Sequence, residues 1–140
     1  MSDEQTGAEV WKRLFGEGSD TFLDHAYEPR NVGEVQNADV SVSYTGACGD
    51  TIHLSLREQN GRIKEIRFLT DGCEGTLACG SAMTTLASGK TLEEAAGITA
   101  SAIKDFLDGL TPEHEHCAQL AAAVLHQALA GLVRKRQKHE

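Results

Sequence analysis

Three short runs of alternating residues constrain this chain more than any other feature. Val40, Val42 and Tyr44 alternate with Ser41, Ser43 and Thr45. Ile52, Leu54 and Leu56 alternate with Thr51, His53, Ser55 and Arg57, and Ile66 and Phe68 continue the pattern. A period of two sends one face of each run into a core and the other toward solvent. Asn60-Gly61, between the second and third runs, is a hairpin turn signal. The join between the first and second is Gly46-Ala47-Cys48-Gly49-Asp50. Joins this short permit only antiparallel neighbours, because a parallel crossover needs roughly a dozen residues or more. Strand one then ends, strand two begins and strand three ends at the same edge of the sheet, which brings Cys48 close to Cys73.

From Glu74 the texture becomes helical. Leu77, Ala78, Ala82, Met83 and Leu86 mark a helix that packs on the sheet, and Gly89 stops it. Thr91-Leu92-Glu93-Glu94 is a capping box. Thr99 can cap a further helix carrying Ile103, Phe106, Leu107 and Leu110, and Thr111-Pro112 restarts the chain. A last helix carries Leu120, Val124, Leu125, Leu129, Leu132 and Val133, and its Arg134-Lys135-Arg136 end suits the macrodipole as a solvated terminus. Ahead of the strands, Ser19 or Asp20 can cap a helix with Phe22, Leu23 and Ala26, which Pro29 ends. Strands followed by helices predict an α+β fold: a three-stranded antiparallel sheet packed by helices on one side. Residues 1–18 read as a flexible N-terminal segment in which Val10/Leu14 and Trp11/Phe15 make a short amphipathic turn, and residues 19–140 as a single domain.

A formal net charge of -8 argues against nucleic acid and anionic membrane as partners, and no apolar run reads as a membrane span. The acidic start, Met1 to Gln5, lacks the basic opening of a secretory signal, which points to the cytoplasm. Thiols stay reduced there, so the four cysteines read as ligands, nucleophiles or core residues rather than disulfides.

Those cysteines, Cys48, Cys73, Cys79 and Cys117, form no C-x-x-C pair, so spacing alone is a weak metal signal. Their surroundings strengthen it. Cys48 and Asp50 flank Gly49, which places a soft and a hard ligand side by side. Cys73 follows Asp71-Gly72 at a strand-to-helix junction, where free backbone N–H groups favour a thiolate. Cys117 follows His116 near the start of the last helix, where the same reasoning applies. Thiolate, imidazole and carboxylate together suit iron–sulfur or zinc chemistry. Cys79 has small apolar neighbours and reads as a buried core thiol. Asp50 alone would more often be a turn residue, His25 and Arg30 could be structural, and His114 and His126 read as solvated.

Asp24-His25, Glu28-Pro29-Arg30-Asn31-Val32-Gly33, Gly46-Ala47-Cys48-Gly49-Asp50, Gly72-Cys73, Gly89-Lys90-Thr91-Leu92-Glu93-Glu94-Ala95 and His116-Cys117, in that order, resemble the IscU/NifU-type iron–sulfur cluster assembly scaffolds. The resemblance runs from about Asp20 to about Ala130. It implies a site of Cys48, Asp50, Cys73, His116 and Cys117. On that site a transient 2Fe–2S cluster would be built from iron and from sulfur supplied by a cysteine desulfurase, with iron and electron donors as further partners. The cluster would then pass to apo iron–sulfur acceptor proteins. It implies a non-catalytic scaffold in which Cys48, Cys73 and Cys117 are the cluster thiolates, Asp50 eases release and His116 can join in metal binding. Cys117 is the first candidate to receive sulfur and Cys48 the second. Zinc could fill the same ligands in the cluster-free form, and a cluster shared between two chains would make a homodimer. The family's chaperone-recognition stretch appears here as Leu110-Thr111-Pro112-Glu113-His114, in which only Leu110 and Pro112 match, so a dedicated Hsp70-type partner is not expected. One rival is a zinc-binding sulfur acceptor that serves a desulfurase without building clusters. The long insertion of zinc-loaded SufU-like relatives between the second and third cysteines is missing here, which favours the scaffold branch. A second rival, a thiol–disulfide enzyme using Cys73 and Cys79, lacks the C-x-x-C spacing.

Overall fold

The computed structural model describes residues 18–138, so the amphipathic turn expected from Val10 to Phe15 lies outside the described residues. Helix α1 spans Asp20–Tyr27 and is capped by Ser19, whose hydroxyl accepts from the Phe22 N–H at 2.9 Å. Strands β1 (Val40–Thr45), β2 (Thr51–Gln59) and β3 (Arg62–Thr70) follow. They pair antiparallel in the order β1-β2-β3, with Tyr44 opposite Ile52 and Ile52 opposite Thr70. Helices α2 (Glu74–Ala87), α3 (Leu92–Ala96) and α4 (Ala100–Phe106) come next, then a single 3-10 turn at Pro112–His114 and the long α5 (Glu115–Lys138). The Thr91 capping box and the Thr99 cap both form. Helix α4 is shorter than its apolar pattern, because Leu107 caps it and Asp108 turns left-handed at φ 58°.

The core lies between the inner sheet face and α2 and α5. Ile52, Leu54, Leu56, Ile66 and Phe68 meet Ala82, Met83, Ala121, Val124 and Leu125 there, all buried. A Cβ at Gly80 would run into the Phe68 ring, so this glycine sets how closely α2 approaches β3. The stretch Pro112–Gln137 is, against the sequence expectation, long and apolar enough to cross a membrane by length and composition. Its most apolar window is 56% buried within the fold, the pattern of a core helix. The basic end of α5 is tied down as well as solvated: Lys135 Nζ donates to the Asp39 carbonyl at 3.2 Å, and Arg136 pairs with Glu58.

The outer sheet face is crossed by the chain between α1 and β1. Gly33 N–H donates to the Phe68 carbonyl and Phe68 N–H to the Asn31 carbonyl, both at 2.9 Å. Val35 N–H donates to Ser55 Oγ at 2.9 Å. Asn31 holds φ 63°, a conformation Asn tolerates, and its amide donates to Thr84 Oγ1 at 3.1 Å. The Pro-Arg-Asn-Val-Gly stretch thus staples the crossing to β3 and α2.

Candidate functional site

Three connections meet at one end of the sheet. The turn from β1 to β2 carries Cys48 and Asp50, the junction from β3 to α2 carries Cys73, and the first turn of α5 carries His116 and Cys117. Gly46 N–H donates to the Asp50 carbonyl at 2.9 Å and Gly49 N–H to the Gly46 carbonyl at 3.0 Å. Gly49 sits at φ 94°, where a side chain is strained, and this closes the turn so that Cys48 and Asp50 project from it. Asp71 steadies the neighbouring junction: its Oδ1 accepts from the Thr51 N–H at 3.0 Å, tying the end of β3 to the start of β2.

Cys73 is the N-cap residue of α2, in extended conformation, and its side chain makes no capping hydrogen bond. Cys73 is exposed, as is Cys48, whereas Cys117 is fully buried. Two groups of donor atoms result. Cys48, Asp50 and His116 each offer an atom within 4.8 Å of the others, and so do Asp50, Cys73 and Cys117. Asp50 belongs to both. Two sulfurs on one tetrahedral zinc lie about 3.8 Å apart, given bonds of about 2.3 Å. The donor atoms therefore sit close to ligating distance before any metal arrives. All five residues singled out in the sequence are brought together here.

The resting site is not uniformly ready for metal. Burial pushes the Cys117 thiol up to about 12, a rise opposed by the Thr76 hydroxyl 3.6 Å away and reinforced by the nearby Cys73. A helix start and an adjoining His116, whose Nε2 lies 3.5 Å from the Cys117 sulfur, were expected to favour the thiolate. In the metal-free protein desolvation outweighs both, and the thiol keeps its proton. Metal entry must displace it. Burial raises Cys79 further still, and this thiol is wholly enclosed in the core, as its apolar neighbours suggested.

Sequence reasoning missed Thr76. It lies on the first turn of α2, three residues after Cys73 and so on the same helical face, the one signal that could have found it. Its buried hydroxyl donates to Asp50 Oδ2 at 2.9 Å and lies 3.6 Å from the Cys117 sulfur. A groove of about 270 Å³ opens beside the site between Tyr44, Ala47, Cys48, His116 and Leu120.

The other singled-out residues stand apart from the ligand groups. His25 is buried, with Nδ1 2.7 Å from Ser81 Oγ and its ring edge-on to Phe106. The Arg30 N–H donates to the same Ser81 oxygen at 2.9 Å, and its guanidinium pairs with Asp24 at 2.8 Å. His114 is not the solvated residue expected. Its ring stacks on Phe22 at 5.2 Å, over Gly75, where a Cβ would come within 2.5 Å of it. His126 is exposed, but its Nε2 lies 2.8 Å from the Ile98 carbonyl.

The family model for the NifU-like N terminal domain matches residues 17–139. An iron-sulfur cluster assembly scaffold protein, IscU 1 of Archaeoglobus fulgidus, is 40% identical over 121 residues, covering 86% of this chain and 79% of its own. The IscU scaffold protein of Haemophilus influenzae is 38% identical, covering 80% of this chain and 92% of its own. In three dimensions the chain resembles a candidate assembly scaffold for the SUF system of Fervidobacterium islandicum AW-1, with a TM-score of 0.68 at 22% identity over 79% of this chain and 95% of that one. The N-terminal part of a NifU-like protein from Brucella abortus gives a TM-score of 0.60 at 17% identity, over 87% and 95%. At those identities the structural likeness carries the fold, and the family model and the closer relatives carry the kinship. The chain belongs to the family of NifU-like N-terminal domains.

Proposed function

We propose that this protein is a scaffold on which a labile iron–sulfur cluster, of the 2Fe–2S type, is assembled and from which it is handed to apo-proteins. The observation that carries the reading is the pair of donor groups that share Asp50. Two overlapping sets of three donors suit two metal ions held side by side better than one enclosed structural ion. The donors are Cys48, Asp50 and His116 in one set and Asp50, Cys73 and Cys117 in the other. The cluster is cargo, and no small molecule is turned over. Partners of this chemistry are a cysteine desulfurase, iron and electron donors, and acceptors with vacant cysteine ligands. Cys117 is the sulfur-acceptor candidate once the site opens, and exposed Cys48 is the alternative. Free thiols throughout fit a reducing compartment. Zinc would be held by the same donors when iron and sulfide are withheld, since three thiolates with Asp50 or His116 satisfy its tetrahedral demand.

The test is anaerobic purification and reconstitution, followed by iron, zinc and acid-labile sulfide analysis with a visible spectrum. Iron and sulfide should appear together with a 2Fe–2S spectrum. Cys48→Ser, Cys73→Ser and Cys117→Ser should each abolish a stable cluster, while Cys79→Ser retains it. Zinc alone, with no cluster under any reconstitution, would point instead to a sulfur acceptor that serves a desulfurase.

A further inference from the structure

The structure assigns Thr76 the task of positioning the Asp50 carboxylate over the ligand thiols; this rests on the proposal that Asp50, Cys73 and Cys117 are ligands. Helix α2 carries two other threonines, Thr84 buried and Thr85 exposed. Both turn back onto their own helix: Thr84 Oγ1 lies 3.0 Å from both the Gly80 and Ser81 carbonyls, and Thr85 Oγ1 donates to the Ser81 carbonyl at 2.8 Å. That is the usual resting place for a hydroxyl inside a helix. Thr76 does otherwise. Its side chain is fully buried, and its hydroxyl faces Asp50 Oδ2 at 2.9 Å, the Cys117 sulfur at 3.6 Å and the Cys73 sulfur at 3.9 Å. Every one of these partners is a candidate ligand.

A hydroxyl has one hydrogen to give. The Asp50 oxygen is the nearest acceptor and a better one than sulfur, so the hydrogen goes to Asp50, and the sulfurs lie against the oxygen's remaining surface. Gly72 makes room for this arrangement. A Cβ there would come within 2.6 Å of Thr76 Oγ1 and 3.0 Å of Asp50 Oδ2, and Gly72 does not have a left-handed φ that would otherwise demand glycine. The glycine before Cys73 is therefore explained by space for the hydroxyl–carboxylate pair. Thr76 holds one Asp50 oxygen, Oδ2, and so fixes the rotation of the carboxylate beside the thiols. Without that bond the carboxylate rotates about its own side chain and meets the thiols in ligating geometry only part of the time.

Cobalt(II) is the probe, read by its thiolate charge-transfer and d–d bands under anaerobic titration. Thr76→Val keeps the shape and removes the hydroxyl; Thr76→Ser keeps the hydroxyl. Thr76→Ser should bind within about threefold of the wild type, and Thr76→Val at least about tenfold more weakly, with altered d–d bands. In an Asp50→Ala background the same valine substitution should change affinity by less than about threefold, because nothing is left to position. Thermal melting of the metal-free proteins checks the fold, and Thr76→Ala replaces the valine variant if that one fails to fold. Wild-type affinity in Thr76→Val, or an equal loss with and without Asp50, would overturn the assignment while leaving the ligands in place. Equal cobalt binding by the wild type, Cys73→Ser and Cys117→Ser would instead sink the ligand reading and this inference with it.

Discussion

Asp50 is a donor of a different kind from its neighbours, a carboxylate among thiols. A carboxylate binds iron less covalently than a thiolate does, and it exchanges more readily. It also sits on a turn closed by Gly49, which meets nothing a Cβ would touch. Replacing Asp50 with Ala should slow cluster transfer to an apo-ferredoxin at least severalfold and lengthen the cluster's life in air. Circular dichroism of wild type and variant under matched conditions follows both, and equal or faster transfer by the variant would leave His116 as the exchangeable ligand. The fold should survive, because removing a half-buried turn carboxylate shifts stability by only about 1 kcal/mol. The donors were legible as residue types: each cysteine, the aspartate and the histidine stood in a telling local context. The state of Cys117 was not, since burial depends on the whole of α5 closing over it. Thr76 was illegible for a related reason, as a threonine on a helix gives no sign of which atoms its hydroxyl will face.

At the level of elements, α2 lies close against β3. Gly80 lets the helix lie on the Phe68 ring, and Gly75 does the same for the His114 ring on the other side of its first turn. Gly80→Ala should destabilise the protein by about 1–3 kcal/mol, the usual cost of overpacking a filled core. A matched Gly89→Ala would test backbone strain instead, because Gly89 has open space and φ 79°. Urea unfolding of the Gly80 variant should show a lower midpoint with an unchanged slope. A stability within 0.5 kcal/mol of wild type, on the order of a neutral surface change, would mean that Phe68 can move aside. Strands and caps were the readable part of the sequence. The period-two runs, Asn60-Gly61, the Thr91 capping box and the Thr99 cap all describe local physics, and each element appears where that physics puts it. Helix ends set by tertiary contact were less so: Leu110 continues an apolar pattern that Asp108 has already broken. The chaperone-like stretch illustrates the same limit, for His114 looked free in sequence and is held by Phe22.

For the molecule as a whole, acid should find a weak point outside the donor groups. His25 is buried between Ser81 and Phe106, and desolvation, then the Arg30 charge, lower its pKa, with Asp24 opposing. The unfolded chain holds its histidine proton up to about pH 6.5, and the folded one only below that. Between the two values the unfolded state binds more protons, so stability is complete above about pH 6.5 and falls as pH drops toward the folded pKa. Melting temperature should therefore decline as pH falls below about 6.5, and His25→Gln should flatten that decline. An equally steep decline in the variant would assign it to the carboxylates. The two donor groups also face solvent unequally. Cys48 and Cys73 stand on the rim and Cys117 lies on the floor. An acceptor thiol arriving from outside meets the rim first, so bonds to the scaffold would be surrendered in sequence, with the floor cysteine last. A cargo held this way remains tethered at its base while its upper face already belongs to the recipient, and delivery becomes a hand-over without a moment of free drift.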